Sequence, residues 1–185
     1  MIGEFNNMDE NYYELFASSS DMLNGKQLVE VIKNFQENQP VIYHGKGFFE
    51  KMIVNLNKGI SQKEIDKLLK KYNTYTLPKD YLELLKFSNG INFFKYADDK
   101  ISSLEDAFKY AQDDWLEQGY IYIARFAEDD FYMKCDGSER NIYFSNEGIS
   151  DLEPLNMSFV AFVEASLISG FSYFWLWGKE PYDLY

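Results

Sequence analysis

The sequence predicts an α+β fold, an antiparallel β-meander packed against flanking helices, and three observations carry that prediction. Between Gly59 and Gly119, apolar residues recur at helical spacing inside segments with recognisable starts and stops. After Gly119 the period drops to two, and short β-branched and aromatic runs alternate with tight Asp/Gly turns. From Ser158 the helical period returns. Helices, then a meander, then a helix make an α+β domain.

Two helices are expected before this region. One covers about Asp9 to Ala17, with Tyr12, Tyr13 and Phe16 at helical spacing. The other covers about Lys26 to Gln36, where Leu28, Val31, Ile32 and Phe35 follow the i, i+3, i+4, i+7 rule. Ser18-Ser19-Ser20 and Asn24-Gly25 separate them as turns. Val41-Ile42-Tyr43 is a short strand candidate, and Gly45 to Asn57 reads as neither helix nor strand.

Ser61-Gln62-Lys63-Glu64 fits the capping box, in which hydroxyl and carboxylate each satisfy an unpaired amide of the first turn. Ile65, Leu68, Leu69 and Tyr72 then form one apolar stripe. A second helix is expected from Leu77-Pro78, with proline at the first helical position, where a missing N–H costs nothing. Tyr81, Leu84, Leu85 and Ser88 face inward, and Asn89-Gly90 stops the helix. A third helix is expected from about Leu104 to Gln118, capped by Ser102 or Ser103.

Tyr120 to Phe126 then reads as a strand, Glu128-Asp129-Asp130 as a turn, and Phe131 to Cys135 as a second strand. Asp136-Gly137-Ser138 turns the chain into a third strand at Asn141 to Phe144, ended by Asn146-Glu147-Gly148. The last helix runs from Ser158 to about Ser169, with Phe159, Phe162, Val163, Ser166 and Leu167 on one face.

Composition bounds what such a domain does. The chain has 185 residues and is 46% hydrophobic and 18% aromatic, enough to close a core without staples. Domains of this size bury about 70% of the surface their unfolded chains expose. Its 18 Lys and Arg stand against 30 Asp and Glu, a net of -12, which speaks against a phosphate-backbone binder. No nucleic-acid partner is expected. One cysteine, Cys135, and one histidine, His44, exclude an intrachain disulfide and the usual structural zinc sites. Met1 to Asn6 has no basic start of a secretory signal, and no run approaches the roughly 20 apolar residues of a membrane span. A cytoplasmic protein without a membrane partner is the expectation.

The charge is uneven. From Lys26 to Lys71 nine Lys stand against five acids, whereas from Asp98 to Glu153 fifteen acids stand against Lys100, Lys109, Arg125, Lys134 and Arg140. Such a half can steer a basic partner, or it can be an ordinary solvated face.

None of the reactive residues assembles into a catalytic pattern. Tyr43-His44-Gly45-Lys46-Gly47 lacks the spacing and trailing Lys-Ser/Thr of a phosphate loop, so His44 reads as a loop histidine. Cys135 has no base paired with it in sequence and reads as a small hydrophobe in a strand. Asp98-Asp99, Asp113-Asp114 and Glu128-Asp129-Asp130 lack the spacing of a calcium loop and read as turn acids. Phe171 to Trp177 reads as an alternating strand burying one face, the other reading being an exposed anchor. No catalytic residue, metal site or cofactor is expected.

One pattern is more specific. Gly59-Ile60-Ser61-Gln62-Lys63-Glu64-Ile65, then Leu68-Leu69, Leu77-Pro78-Lys79-Asp80-Tyr81, Leu84-Leu85 and Asn89-Gly90 resembles the opening of the SUKH superfamily, or Smi/Knr family. Tyr120 to Ala127 is similar to its central strand, Glu128-Asp129-Asp130 to its acidic turn, Asn141-Ile142-Tyr143 to the next strand, and Ser158 to Val163 to its closing helix. The resemblance covers about residues 59 to 170. It implies a SUKH-like domain over 59–185 and leaves 1–58 as an N-terminal helical extension, packed on the domain or serving as a separate contact arm.

The matching residues are caps, stops and core, so function in such a family lies on the surface. The resemblance implies a non-enzymatic binding protein. Bacterial members resemble immunity proteins that neutralise a cognate polymorphic toxin, and fungal members look like regulatory scaffolds in cell-wall synthesis and signalling. A toxin with a basic surface, such as a nuclease, would meet the acidic half. The residues expected at that contact are Glu128, Asp129, Asp130 and Asp136, with Asp113, Asp114 and Glu117 in reserve.

Overall fold

The structure, a computed structural model, describes residues 23–44, 47–72, 75–94, 99–145 and 152–174. The expected helix at Asp9 to Ala17 and the turn at Asn146-Glu147-Gly148 lie outside them.

Helix α1 (Gly25–Asn38) opens with a capping box: the Asn24 side chain accepts from the amides of Lys26 and Gln27, and the Gln27 side chain accepts from the Asn24 amide. Leu28 and Ile32 are fully buried on its inner face. A two-stranded antiparallel hairpin follows, β1 (Val41–His44) and β2 (Phe48–Lys51). The stretch that reads as neither element in sequence thus holds β2 and β3 (Asn55–Leu56).

Helix α2 (Gln62–Leu69) carries the expected box, with Glu64 accepting from the Ser61 amide at 2.7 Å and Ser61 Oγ accepting from the Glu64 amide at 3.3 Å. In α3 (Lys79–Phe87) the register shifts by one residue: Pro78 is the N-cap, not the first helical residue. Its ψ of 144° is extended, and its missing N–H is tolerated there for the same reason. After α3, Gly90 has φ 103°, and a Cβ there would approach Asn57 Nδ2 at 2.8 Å. Beside it, Asn89 Oδ1 accepts from the Leu104 amide at 2.8 Å and Asn89 Nδ2 donates to Glu105 at 2.9 Å. The Asn-Gly stop therefore also fastens the start of the next helix.

That next helix is two helices, α4 (Leu104–Lys109) and α5 (Asp113–Glu117), broken at Tyr110 to Gln112. Ser103 is the cap of α4, its Oγ accepting from the Asp106 amide. The last helix, α6 (Phe159–Ile168), is capped by Ser158 and buried on most sides. Phe171 to Phe174 is not a strand: Gly170 and Phe171 have φ of 62° and 59°, and the Phe171 amide donates back to the Ser166 carbonyl at 2.8 Å. Phe171 and Phe174 are buried and Tyr173 is exposed. The Trp175 to Trp177 part of that run lies outside the described residues.

The main sheet has seven strands in sequential, fully antiparallel order: β3, β4 (Ile91–Asn92), β5 (Lys100–Ile101), β6 (Tyr120–Phe126), β7 (Asp129–Lys134), β8 (Ile142–Ser145) and β9 (Glu153–Pro154). The meander is longer than the sequence suggests because four of its strands are only two residues each, too short to show a period. Helix α1 lies against α3, and both touch α6. The core between these helices and one sheet face is aromatic: Phe162 sits 5.5 Å from Phe126 and 4.8 Å from Phe131, and Phe171 sits 4.9 Å from Phe126. Leu28, Ile32, Met52 and Val54 belong to the same core as the residues after Gly59.

Candidate interaction surface

Alternation along β6, β7 and β8 sorts the side chains onto two faces. Phe131, Met133, Ile142 and Phe144 enter the main core, while Tyr122, Tyr132 and Tyr143 join a second cluster with Ala111, Trp115 and Tyr120. A β-bulge between Tyr122 and Ala124 resets the alternation, so Ile123 and Ala124 are both buried. The aromatic rings of this outer face touch edge to face. Tyr122 and Tyr132 are 5.7 Å apart, Tyr120 and Tyr143 5.0 Å, and Tyr110 and Tyr122 6.3 Å. Such T-shaped pairs are favourable beyond the area they bury.

Helix α5 lays Trp115 on Tyr132, centroids 4.7 Å apart, and this turns Asp113, Asp114 and Glu117 out to solvent. Asp130 projects on the same outer face, where it pairs with Arg125 at 3.3 Å and lines one pocket with Tyr122 and Tyr132. Burial, and then the Asp130 charge, push the Tyr122 and Tyr132 hydroxyls well above the usual phenol range. Asp113, Asp114, Glu117 and Asp130 are thus brought to one side of the sheet.

The other expected acids go elsewhere. The turn is Ala127-Glu128, and Asp129 and Asp130 are the first residues of β7, a correction to the three-residue acidic turn. Ala127 and Glu128 have φ of 50° and 81°, as the two central residues of a type I′ hairpin turn require. Glu128 is exposed at the tip, while Asp129 points to the other face and is 8% exposed. Asp136 lies past the far end of β7, about 26 Å from the tip at strand rise. There its carboxylate accepts from the Ser138 amide at 2.9 Å and sits 3.5 Å from Lys134 Nζ. The Ser138 bonds, and then the Lys134 charge, hold Asp136 below its ordinary value.

Cys135 follows β7 and is buried, and burial followed by the Asp136 charge pushes its thiol far up, so it stays protonated. His44 ends β1 opposite Phe48, and Gly45 and Lys46 lie outside the described residues. Among the described residues no three of His, Cys, Asp and Glu gather to hold a metal ion, and no helix is long and apolar enough to cross a membrane. A cleft of about 420 Å³ opens near Asp136, between the Thr76–Asp80 segment, Gly137 to Glu139, and Ser158-Phe159.

Sequence reasoning singled out the acids and passed over the tyrosines. The signal was present, since Tyr120 and Tyr122 alternate within one strand and Tyr132 and Tyr143 sit in the next two. Alternating tyrosines read equally well as core, and Tyr122 and Tyr132 are indeed buried in the cluster that Trp115 joins, while Tyr120 and Tyr143 are half-buried at its edge.

Over residues 59–165, more than half of the chain, the sequence matches the family model of the SMI1/KNR4 family (SUKH-1). No curated protein matches the chain.

Proposed function

Because the chain belongs to the SMI1/KNR4 family (SUKH-1), we propose that it is a non-enzymatic binding protein that neutralises a cognate polymorphic toxin in the cytoplasm. The observation that carries this reading is the outer sheet face, where exposed Tyr110 and half-buried Tyr120 and Tyr143 stand over the buried Tyr122, Tyr132 and Trp115 beside exposed Asp113, Asp114 and Glu117. Protein interfaces draw most of their binding energy from Tyr, Trp and Arg surrounded by a polar rim. Carboxylates on that rim match a basic toxin, and a basic nuclease cleft is one such surface.

The residues that carry the family resemblance support binding over catalysis. Ser61 and Glu64 cap α2, Pro78 and Gly90 bracket α3, and Tyr81 is fully buried against Phe159. Each holds the scaffold and leaves the surface free to differ.

The test is co-expression with the product of a neighbouring toxin-like reading frame, scoring survival and isolating the complex. Rescue with a one-to-one complex supports the reading. Capture of several partners without rescue of any candidate toxin would instead favour a regulatory or scaffolding adaptor.

A further inference from the structure

We infer that a pocket on the outer sheet face, between Lys100 and Arg125, is a socket for a carboxylate of a protein partner. The pocket holds about 270 Å³ and is lined by Lys100, Tyr110, Tyr122, Arg125, Asp130 and Tyr132. It goes beyond the toxin reading and does not depend on it.

The pocket is lined by two cations and one carboxylate, a net positive charge within the acidic half of the chain. Lys100 and Arg125 are cross-strand partners in the β5–β6 register, so two cations stand side by side over one carboxylate. Asp130 is already engaged by Arg125 at 3.3 Å. Lys100 makes no ion pair with any described residue and is half-buried, so its charge is left uncompensated. Like charges placed directly opposite on adjacent strands destabilise a sheet, and an anion between them removes that cost.

The neighbours extend the same pattern. Lys109 Nζ lies 4.8 Å over the Tyr110 ring and 3.3 Å from its hydroxyl, and Lys134 Nζ lies 5.5 Å over Tyr120. Four of the five cations between Asp98 and Glu153 therefore border this one aromatic face. The tyrosine hydroxyls add donors that suit a carboxylate, and charge-assisted bonds to Lys and Arg are the strong ones. A nucleic acid fits less well. Its string of phosphates would run on from the socket past exposed Asp113, Asp114 and Glu117, whereas one carboxylate stops inside.

The experiment is an NMR titration of the full-length protein at low ionic strength. The probes are propionate for a Glu-like side group, N-acetylglycinate for the terminal carboxylate of a polypeptide, inorganic phosphate, and an oligouridylate. The expected result is saturable shifts confined to Lys100, Arg125 and the pocket tyrosines with one or both carboxylates, and weaker binding as salt rises. The stronger carboxylate identifies the source. Lys100→Met should bind about tenfold more weakly and Lys100→Arg about as well as the native protein. Tyr110 is 52% exposed, so Tyr110→Phe is a second variant that leaves the fold intact, and it should bind severalfold more weakly. No saturable shift with either carboxylate, tighter binding of phosphate or oligouridylate, or full affinity in both Lys100→Met and Tyr110→Phe overturns the inference.

Discussion

The buried carboxylate of Asp99 accepts a hydrogen bond from the backbone N–H of Ala127 at 2.8 Å, tying the entry of β5 to the β6–β7 turn. Ala127 has a left-handed backbone and is 2% exposed, so its amide has no access to water. Removing the acceptor leaves a buried donor unpaired, which costs about 2 kcal/mol. Asp99→Ala should lower the unfolding free energy in urea by that amount, and Asp99→Asn, which keeps an acceptor oxygen, by less. Equal stability of Asp99→Ala and the native protein would show that the turn needs no anchor.

Glu128 occupies the second left-handed position of the same turn, at φ 81°. A non-glycine residue there costs about 1–2 kcal/mol, while glycine recovers that at an entropic cost of about 0.5–1 kcal/mol. Glu128→Gly should therefore raise stability slightly, by about 0.5 kcal/mol. Thermal unfolding reads this directly, and a loss of stability would mean that the Glu128 carboxylate and its methylenes contribute more than the strain they cause.

These two residues also show where the sequence was legible and where it was not. Ser61, Glu64 and Ser158 act through neighbours three residues away, and their caps stand where local chemistry puts them. The Asn89-Gly90 stop also stands as expected, although its side-chain bonds reach Leu104 and Glu105. The acidic run was misplaced because its turn is built from Ala-Glu and not from a Gly or Asn pair, and its anchor, Asp99, is 28 residues upstream. The helix expected over Leu104 to Gln118 breaks because Ala111 and Trp115 leave the main core for the outer cluster. Its apolar spacing continues across the break, so periodicity alone could not show it. For the surface, which face Asp129 and Asp130 each occupy depends on the starting residue of β7, and one residue of register exchanges them.

Gly59 marks the start of the matched region and packs its Cα on the carbonyls of Lys86 and Phe87 at the end of α3. The neighbouring Ile60 amide donates to the Leu85 carbonyl at 3.0 Å. A Cβ on residue 59 would overlap the Lys86 carbonyl, which is backbone and cannot swing aside. Gly59→Ala should destabilise the domain by about 3 kcal/mol, within the range of overpacking, as measured by chemical denaturation. A change below about 0.5 kcal/mol would show that the segment before α2 is loosely held.

Two carboxylates give the acid limb of stability its sign. Glu64 is held low chiefly by its bonds to Ser61, and Asp136 chiefly by its bonds to Ser138. A folded-state value below the unfolded one means the stabilisation is complete above the ordinary carboxylate range. It is lost as pH falls through the folded values. Both groups are well exposed, so the effect is modest. Ser61→Ala combined with Asp136→Asn should flatten the fall in stability below about pH 4, and carbon-detected NMR titration should find both carboxyls titrating low in the native protein. Ordinary titration of both would remove this account.

The last prediction concerns the acids that the fold does gather. Asp113, Asp114 and Glu117 flank the buried Trp115 in α5 and are exposed, and none is needed for a described side-chain hydrogen bond. Asp129, by contrast, is 8% exposed, so reversing it tests folding and not recognition. If the outer face meets a basic toxin, long-range attraction speeds encounter more than it strengthens the final complex. Asp113→Asn, Asp114→Asn and Glu117→Gln together should slow association by about tenfold at low salt, leave dissociation nearly unchanged and reduce the dependence of the association rate on ionic strength. Tyr110→Ala should act in the opposite way, raising the dissociation rate by removing contact area from an exposed aromatic on the same face. Stopped-flow measurements across a salt series separate the two effects. An association rate that ignores all three neutralisations at every salt concentration would place the toxin contact on another face.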